Sequence, residues 1–458
     1  MNDRVGTLVI LGAAGDLTRR LLLPGLGQLL ETGRFDDLQL LGVGRDDLDD
    51  ARWQERVTES FASAGATGPH SSVIAGASRY LRADVTDPAA LRRIIGACKG
   101  APALYFALPP GVTIAACTAL GEVDLPSGIV FALEKPFGTD LSSAQALNRR
   151  LEKLVAERHI HRIDHFLGKS TVLNLLGLRF ANRVFESVWD AQNIASVEIT
   201  FDERLGLEGR AGYYDRAGAL VDMIQSHLLL VLALVAMEPP PSLDPDDLRE
   251  AMAQALRATR VWDGDAVTAS RRARYSAGTV GSERLVSYTD EAGVDPTRRT
   301  ETLAEVRLGI ENPRWAGVPF FLRSGKALSD DRKEIVVTFK DVSHLPAGFS
   351  GIAGPARLRI ALGPDEIELD LAINGEGDPF ELDTVTLRTA FAPGELPPYG
   401  EVLSGLLSDD PTLSVRADEV EECWRIVAPV RAAWAADTVA LESYPAGTHG
   451  PSNWHTPF

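Results

Sequence analysis

The chain has 458 residues, of which 45% are apolar, and a formal net charge of −18. That length allows two or three domains around sizeable cores, while an acidic surface repels nucleic acid and anionic lipid, so neither is expected as a partner. Three scattered cysteines, Cys98, Cys117 and Cys423, with no CxxC pair, point to reduced thiols in a cytoplasm rather than a disulfide frame.

In chain order, the opening MNDRVGTLVILG reaches a glycine turn too early for a signal peptide and predicts a first strand over 7–12. Continuous apolar runs follow at 38–44, 103–109 and 128–136, with helical stretches between them. This alternation predicts a Rossmann-like α/β domain over 1–170, a parallel sheet with helices on both faces. From about residue 170 the pattern changes. The segments 195–203, 302–310, 333–340, 356–362 and 366–373 alternate apolar and polar residues. That period of two predicts a larger α+β domain over 171–458, with a mostly antiparallel sheet and helices. The run HLLLVLALVAM (227–237) is about half of the roughly 20 residues that span a bilayer and predicts a buried helix, so no membrane partner is expected.

The stretch LVILGAAGDLTRR is strand, glycine turn and helix. Glycine at 12 and 15 allows a tight turn and lets a phosphate approach the free N–H groups of a helix start. Gly12, Ala13, Ala14, Gly15, Asp16 and Leu17 are therefore candidate dinucleotide ligands. At the end of the second strand, Arg45 can accommodate the 2′-phosphate of NADP, while Asp46 and Asp47 beside it leave NAD use open. Asp84 and Val85, ending the third strand, are candidates for the adenine side. Lys135 in EKPFG is a cation fixed by a following proline at the carboxyl end of a strand, the ligand edge of such sheets.

HRIDHFLGKS (161–170) is too polar for a core strand and too compact for a solvated loop. No cysteine or carboxylate cluster completes a metal set around His159, His161 and His165, so no metal is expected. His165 and Lys169 suit a phosphate, through charge-assisted hydrogen bonds. Asp164 would repel that anion and suits instead the orientation of a basic imidazole. His227, heading the apolar run, is the histidine available for that task.

The segments GAAGDLTRRLLLPGL, EKPFGTDL, RIDHFLGKSTVLNLLGLRFAN, GYYDRAGALVDMIQSHLL and VPFFLRSGKAL together resemble the glucose-6-phosphate dehydrogenases. The resemblance implies oxidation of glucose 6-phosphate at C1 with NADP, His227 as general base and Asp164 orienting it. It implies His165 and Lys169 at the phosphate, Glu203 and Asp222 at sugar hydroxyls, and Lys326 reaching the substrate, with Arg332 as a second cation. Lys135 would lie between sugar and nicotinamide, and the enzyme would be a homodimer or homotetramer. Asp222 and His227 are five apart, about 140° on a regular helix, so they share a pocket only if the sugar straddles that helix face or the helix start is irregular. The sequence departs from the family pattern in two places: the motif RIDHFLGKS has Phe166 and Ser170 for a tyrosine and a glutamate, and Asp46 follows Arg45. An oxidoreductase of non-phosphorylated sugars and a non-catalytic NADP or sugar-phosphate sensor are the alternatives. His165 and Lys169 argue against the first, the His227–Asp164 pair against the second.

Overall fold

The fold is taken from a computed structural model that describes residues 5–209, 211–351, 354–375, 377–392 and 394–454. The chain forms two compact units. The first comprises the chain up to Lys169 together with Pro240–Glu250 and Gly394–Glu421. The second comprises Ser170–Pro239, Ala251–Pro393 and the chain from Glu422 onward.

In the first unit, strands β1 (Thr7–Leu11), β2 (Gln39–Gly44), β3 (Arg79–Arg82), β4 (Pro102–Phe106), β5 (Val130–Leu133) and β6 (Ile160–Ile163) are parallel in the order β3-β2-β1-β4-β5-β6. That is the doubly wound order of dinucleotide-binding sheets. Alternate residues of β1 enter opposite cores. Leu8 and Ile10 pack in one layer and Val9 and Leu11 in the other, which is why the strand reads as an unbroken apolar run. The first layer is completed by a late segment: Leu396, Val402, Leu403, Leu406 and Leu407, from and beside helix Pro398–Leu407. Ser414–Val415 then pairs antiparallel with β6. The predicted second domain thus gives two segments to the first unit, because apolar periodicity does not say which sheet a helix covers.

Strand β6 corrects the reading of HRIDHFLGKS as too polar for a core strand, since all four residues of β6 are buried. His161 shares a hydrogen bond with Ser414 (2.9 Å), and Arg162 donates to Glu157 and Asn148. Buried polar groups persist where they are bonded.

The second unit is built on one sheet. Its strands include β7 (Ile194–Asp202), β8 (Leu303–Ile310), β9 (Phe320–Gly325) and β10 (Arg332–Phe339). The order is 350–351, 381–390, 366–374, 357–361, β10, β7, β9, β8, 270–276, 441–445, with 259–261 also on β8. Most pairings are antiparallel; β7–β9, 270–276 with 441–445 and 350–351 with 381–382 are parallel. One face of the central strands carries a charged ladder in which Arg323 binds Asp202 (2.9 Å) and Arg271 binds Glu305 (2.6 Å). The helical run Ala211–Ala236 is longer than the predicted helix. By length and composition its 26 residues suffice to cross a bilayer, yet 89% of its apolar window is buried in the protein.

Candidate active site

The glycine turn follows β1 as its spacing predicts. Gly12 has φ +93°, and a Cβ there would lie 2.1 Å from the carbonyl oxygen of Ala107. Gly15 donates its N–H to the Gly12 carbonyl (3.0 Å), closing the turn ahead of the helix. Ala13 is buried, Ala14 and Leu17 are half-buried, and Gly15 and Asp16 are exposed. Gly12→Ala is expected to cost about 2–3 kcal/mol through the left-handed φ and the carbonyl clash, read as a lower Tm.

Arg45 is exposed directly after β2. The fold adds two arginines that spacing did not reveal. Arg82 takes Asp47 in an ion pair of 2.8 Å, and Arg56 donates to the Ala14 carbonyl (3.3 Å). Asp84 accepts from the Thr86 N–H and hydroxyl, which holds its carboxyl below the usual range, helped by the Arg45 charge. Val85 is buried in the core on that side. A positive-φ glycine turn, a helix start and an exposed arginine at the end of β2 fit the turn, pyrophosphate and ribose of a bound dinucleotide.

At the carboxyl ends of β5 and β6, Glu134, Lys135 and Asp164 come together. Tyr105 donates to Glu134 (2.5 Å). Burial raises the Glu134 carboxyl, with Asp164 adding to the effect and Lys135 opposing it. Asp164 is 2% exposed and accepts the Phe166 N–H through Oδ1 (2.9 Å), which fixes the turn after β6. His165 stacks on Tyr399 (5.8 Å, 11° between planes) and meets Phe166 edge-on (5.1 Å). Lys169 Nζ lies 4.2 Å from the centre of the Phe166 ring. Phe166 is buried, and its ring touches both His165 and Lys169. Sequence reasoning missed Glu134 and Tyr399. The first is adjacent to Lys135 in EKPFG, whereas the second has no local signal.

The remaining candidates lie in the second unit. Glu203 and Lys326 follow β7 and β9, which are paired, and form an ion pair of 2.7 Å. Lys326 Nζ is 5.4 Å from the Tyr214 ring centre. Asp222 and His227 lie in a π-helix, Leu220–Leu228, 6% and 1% exposed. Hydrogen bonding from i to i+5 returns residues five apart to about the same face, so of the two ways of sharing a pocket the helix takes the irregular one. Ser226 donates to the Asp222 carbonyl (2.5 Å), the kind of side-chain bond that distorts a helix. Arg332 lies 3.5 Å from Asp202, in the charged ladder. Ser170, in the same motif, donates to Asp365 (2.5 Å).

The sheet order, the glycine turn and the grouped imidazole, ammonium and carboxylate side chains define a pyridine-nucleotide-dependent oxidoreductase. Residues 9–174 match the family profile "Glucose-6-phosphate dehydrogenase, NAD binding domain", and residues 176–457 match "Glucose-6-phosphate dehydrogenase, C-terminal domain". The glucose-6-phosphate 1-dehydrogenase of Zymomonas mobilis is 35% identical, covering 99% of this chain and 97% of its own. The crystal structure of the Mycobacterium avium enzyme superposes with a TM-score of 0.86 at 34% identity, covering 98% of this chain and 96% of that one. A glucose-6-phosphate dehydrogenase in complex with glucose-6-phosphate gives a TM-score of 0.89 at 28% identity, covering 99% and 96%. The chain belongs to the glucose-6-phosphate dehydrogenase family.

Proposed function

We propose that this protein oxidises glucose 6-phosphate to 6-phosphoglucono-1,5-lactone with NADP as the hydride acceptor, in the first step of the oxidative pentose phosphate pathway. The observation that carries the reading is the buried π-helix that sets His227 and Asp222 on one face, in a chain whose relatives bear that activity. His227 removes the C1 hydroxyl proton to an imidazole nitrogen, and Asp164 orients its ring. His165 and Lys169 bind the phosphate, and Glu203, Asp222 and Lys326 hold the sugar. When bound, the nucleotide accepts the hydride from C1. Gly12, Ala13, Ala14, Gly15, Asp16, Leu17, Asp84 and Val85 hold it, and Lys135 stands between nicotinamide and sugar. Arg332 takes no part in this assignment. An assay of glucose 6-phosphate and of glucose, each with NADP and NAD, tests the reading. Turnover of glucose at the rate of glucose 6-phosphate, or of neither, overturns it.

NADP is the favoured cofactor because three arginines, Arg45, Arg56 and Arg82, stand around the carboxyl end of β2, with Arg82 occupying Asp47. A guanidinium both stacks on adenine and donates two bonds to a phosphate. Arg45→Ala is expected to raise KM for NADP about tenfold or more, as for the loss of a charged hydrogen bond, and KM for NAD far less. Asp46→Ser is expected to sharpen the NADP preference. Steady-state kinetics of both variants with both cofactors checks this, and equal losses for NADP and NAD would remove Arg45 from the 2′-phosphate.

Two coarser features complete the reading. Strands 366–374 and 381–390 leave Ile373 (47%) and Leu387 (56%) exposed, a surface that supports a homodimer or homotetramer. Cys98, Cys117 and Cys423, none of them in a disulfide among the described residues, support a cytoplasmic, reducing compartment.

A further inference from the structure

We propose that Glu301 is a positioning residue: its carboxylate fixes where the π-helix begins and thereby sets Asp222 and His227 on one face. The inference rests on the catalytic reading of His227 given above.

Glu301 stands two residues before β8 and is 7% exposed. Its Oε1 accepts the N–H of Leu220 (3.0 Å), the first residue of the π-helix, and its main-chain carbonyl accepts the N–H of Ala219 (3.4 Å). One residue from another element therefore satisfies two successive donors at the point where the helix changes register. Helix starts expose N–H groups that need partners, and a carboxylate there also meets the favourable end of the peptide dipoles. The preceding residue is built around the same contact. Gly218 has φ +65°, and a Cβ on it would lie 2.2 Å from Glu301 Oε1. Glycine at 218 and the carboxylate at 301 are each other's condition.

The carboxylate is kept at a cost. Burial pushes its pKa up to about 7, against the Leu220 N–H and the charges of Arg272 and Arg431. A buried carboxyl with so few compensating cations is an unstable choice for packing alone. Its influence also reaches the site. Asp222 and Glu301 both act on the Tyr214 hydroxyl, and the Tyr214 ring faces the Lys326 ammonium. Without the cap, the segment is free to start in ordinary α-helical register, in which Asp222 and His227 diverge by about 140°.

The test is steady-state kinetics of Glu301→Ala, Glu301→Asp and Glu301→Gln beside His227→Ala, with glucose 6-phosphate and NADP. Alanine removes the acceptor and aspartate withdraws it by one methylene. Both are expected to lower kcat about tenfold or more while KM for NADP stays within about twofold, the split of an interaction that matters in the transition state. Glutamine keeps an acceptor for Leu220 and is expected to stay within about threefold of the parent kcat. If the alanine variant does not fold, the aspartate variant carries the comparison. Parental kcat in the alanine and aspartate variants, or a glutamine variant as impaired as alanine, overturns the proposal. An inactive His227→Ala beside normal Glu301 variants sinks only this inference. A fully active His227→Ala sinks the catalytic reading and this inference with it.

Discussion

Replacing His227 by alanine is expected to lower kcat with glucose 6-phosphate by about 10²-fold or more, the range for loss of a positioned general base. KM for glucose 6-phosphate is expected to change little, because the phosphate is held by other groups. The imidazole is 1% exposed and sits in the last turn of the π-helix, so water does not readily take over its task. On the proposed roles, Asp164→Asn, which keeps the shape but not the charge, is expected to give a smaller loss in kcat. A kcat for His227→Ala within a few-fold of the parent would make this histidine a packing residue.

Lys169→Ala is expected to act on the other kinetic constant. A hydrogen bond to a charged group contributes about 1.5–3 kcal/mol, so KM for glucose 6-phosphate should rise about ten- to a hundredfold with kcat nearly unchanged. The ammonium is held over the buried Phe166 ring, 4.2 Å from its centre, and the same ring packs against His165. His165 and Lys169 thus share contact with one aromatic residue that has no hydroxyl to offer a phosphate. Unphosphorylated glucose serves as the control, since its weak turnover should be insensitive to the substitution. If glucose and glucose 6-phosphate lose equally, Lys169 is not at the phosphate.

Much of the first unit was legible in the sequence because its determinants are local. An apolar strand that ends at Gly12 must turn, and Gly15 must follow before a helix can start. Both are properties of a few adjacent residues, and the structure shows them at β1 and the segment after it. The alternating strands of the second unit were legible for the same reason. Several strands had no counterpart among the predicted elements, among them β6, Ser270–Ser276, β9, Glu381–Ala390 and Leu441–Pro445. β6 is polar in composition, and its burial depends on Ser414, Glu157 and Asn148, none of which adjoins it in a predictable way. Strand Glu381–Ala390 lacks a buried face of its own and is fixed by its register with 366–374.

The same division runs through the site. The sequence by itself determined which chemical groups are present: a glycine turn, Arg45, Lys135, the Asp164–His165–Lys169 cluster, and Asp222 with His227 five residues on. These are identities and spacings, and short-range geometry follows from them. The tertiary structure alone decided what each group faces. It paired Arg332 with Asp202 in the charged ladder, and Lys326 with Glu203. It brought Tyr399 from a distant segment to stack on His165, and Glu301 to the head of the π-helix. Helix register is a contest between ladders of similar energy, i to i+4 against i to i+5. Such a contest is settled by contacts from residues far away in the chain, here a carboxylate 81 positions after the N–H it receives, and no local pattern records it.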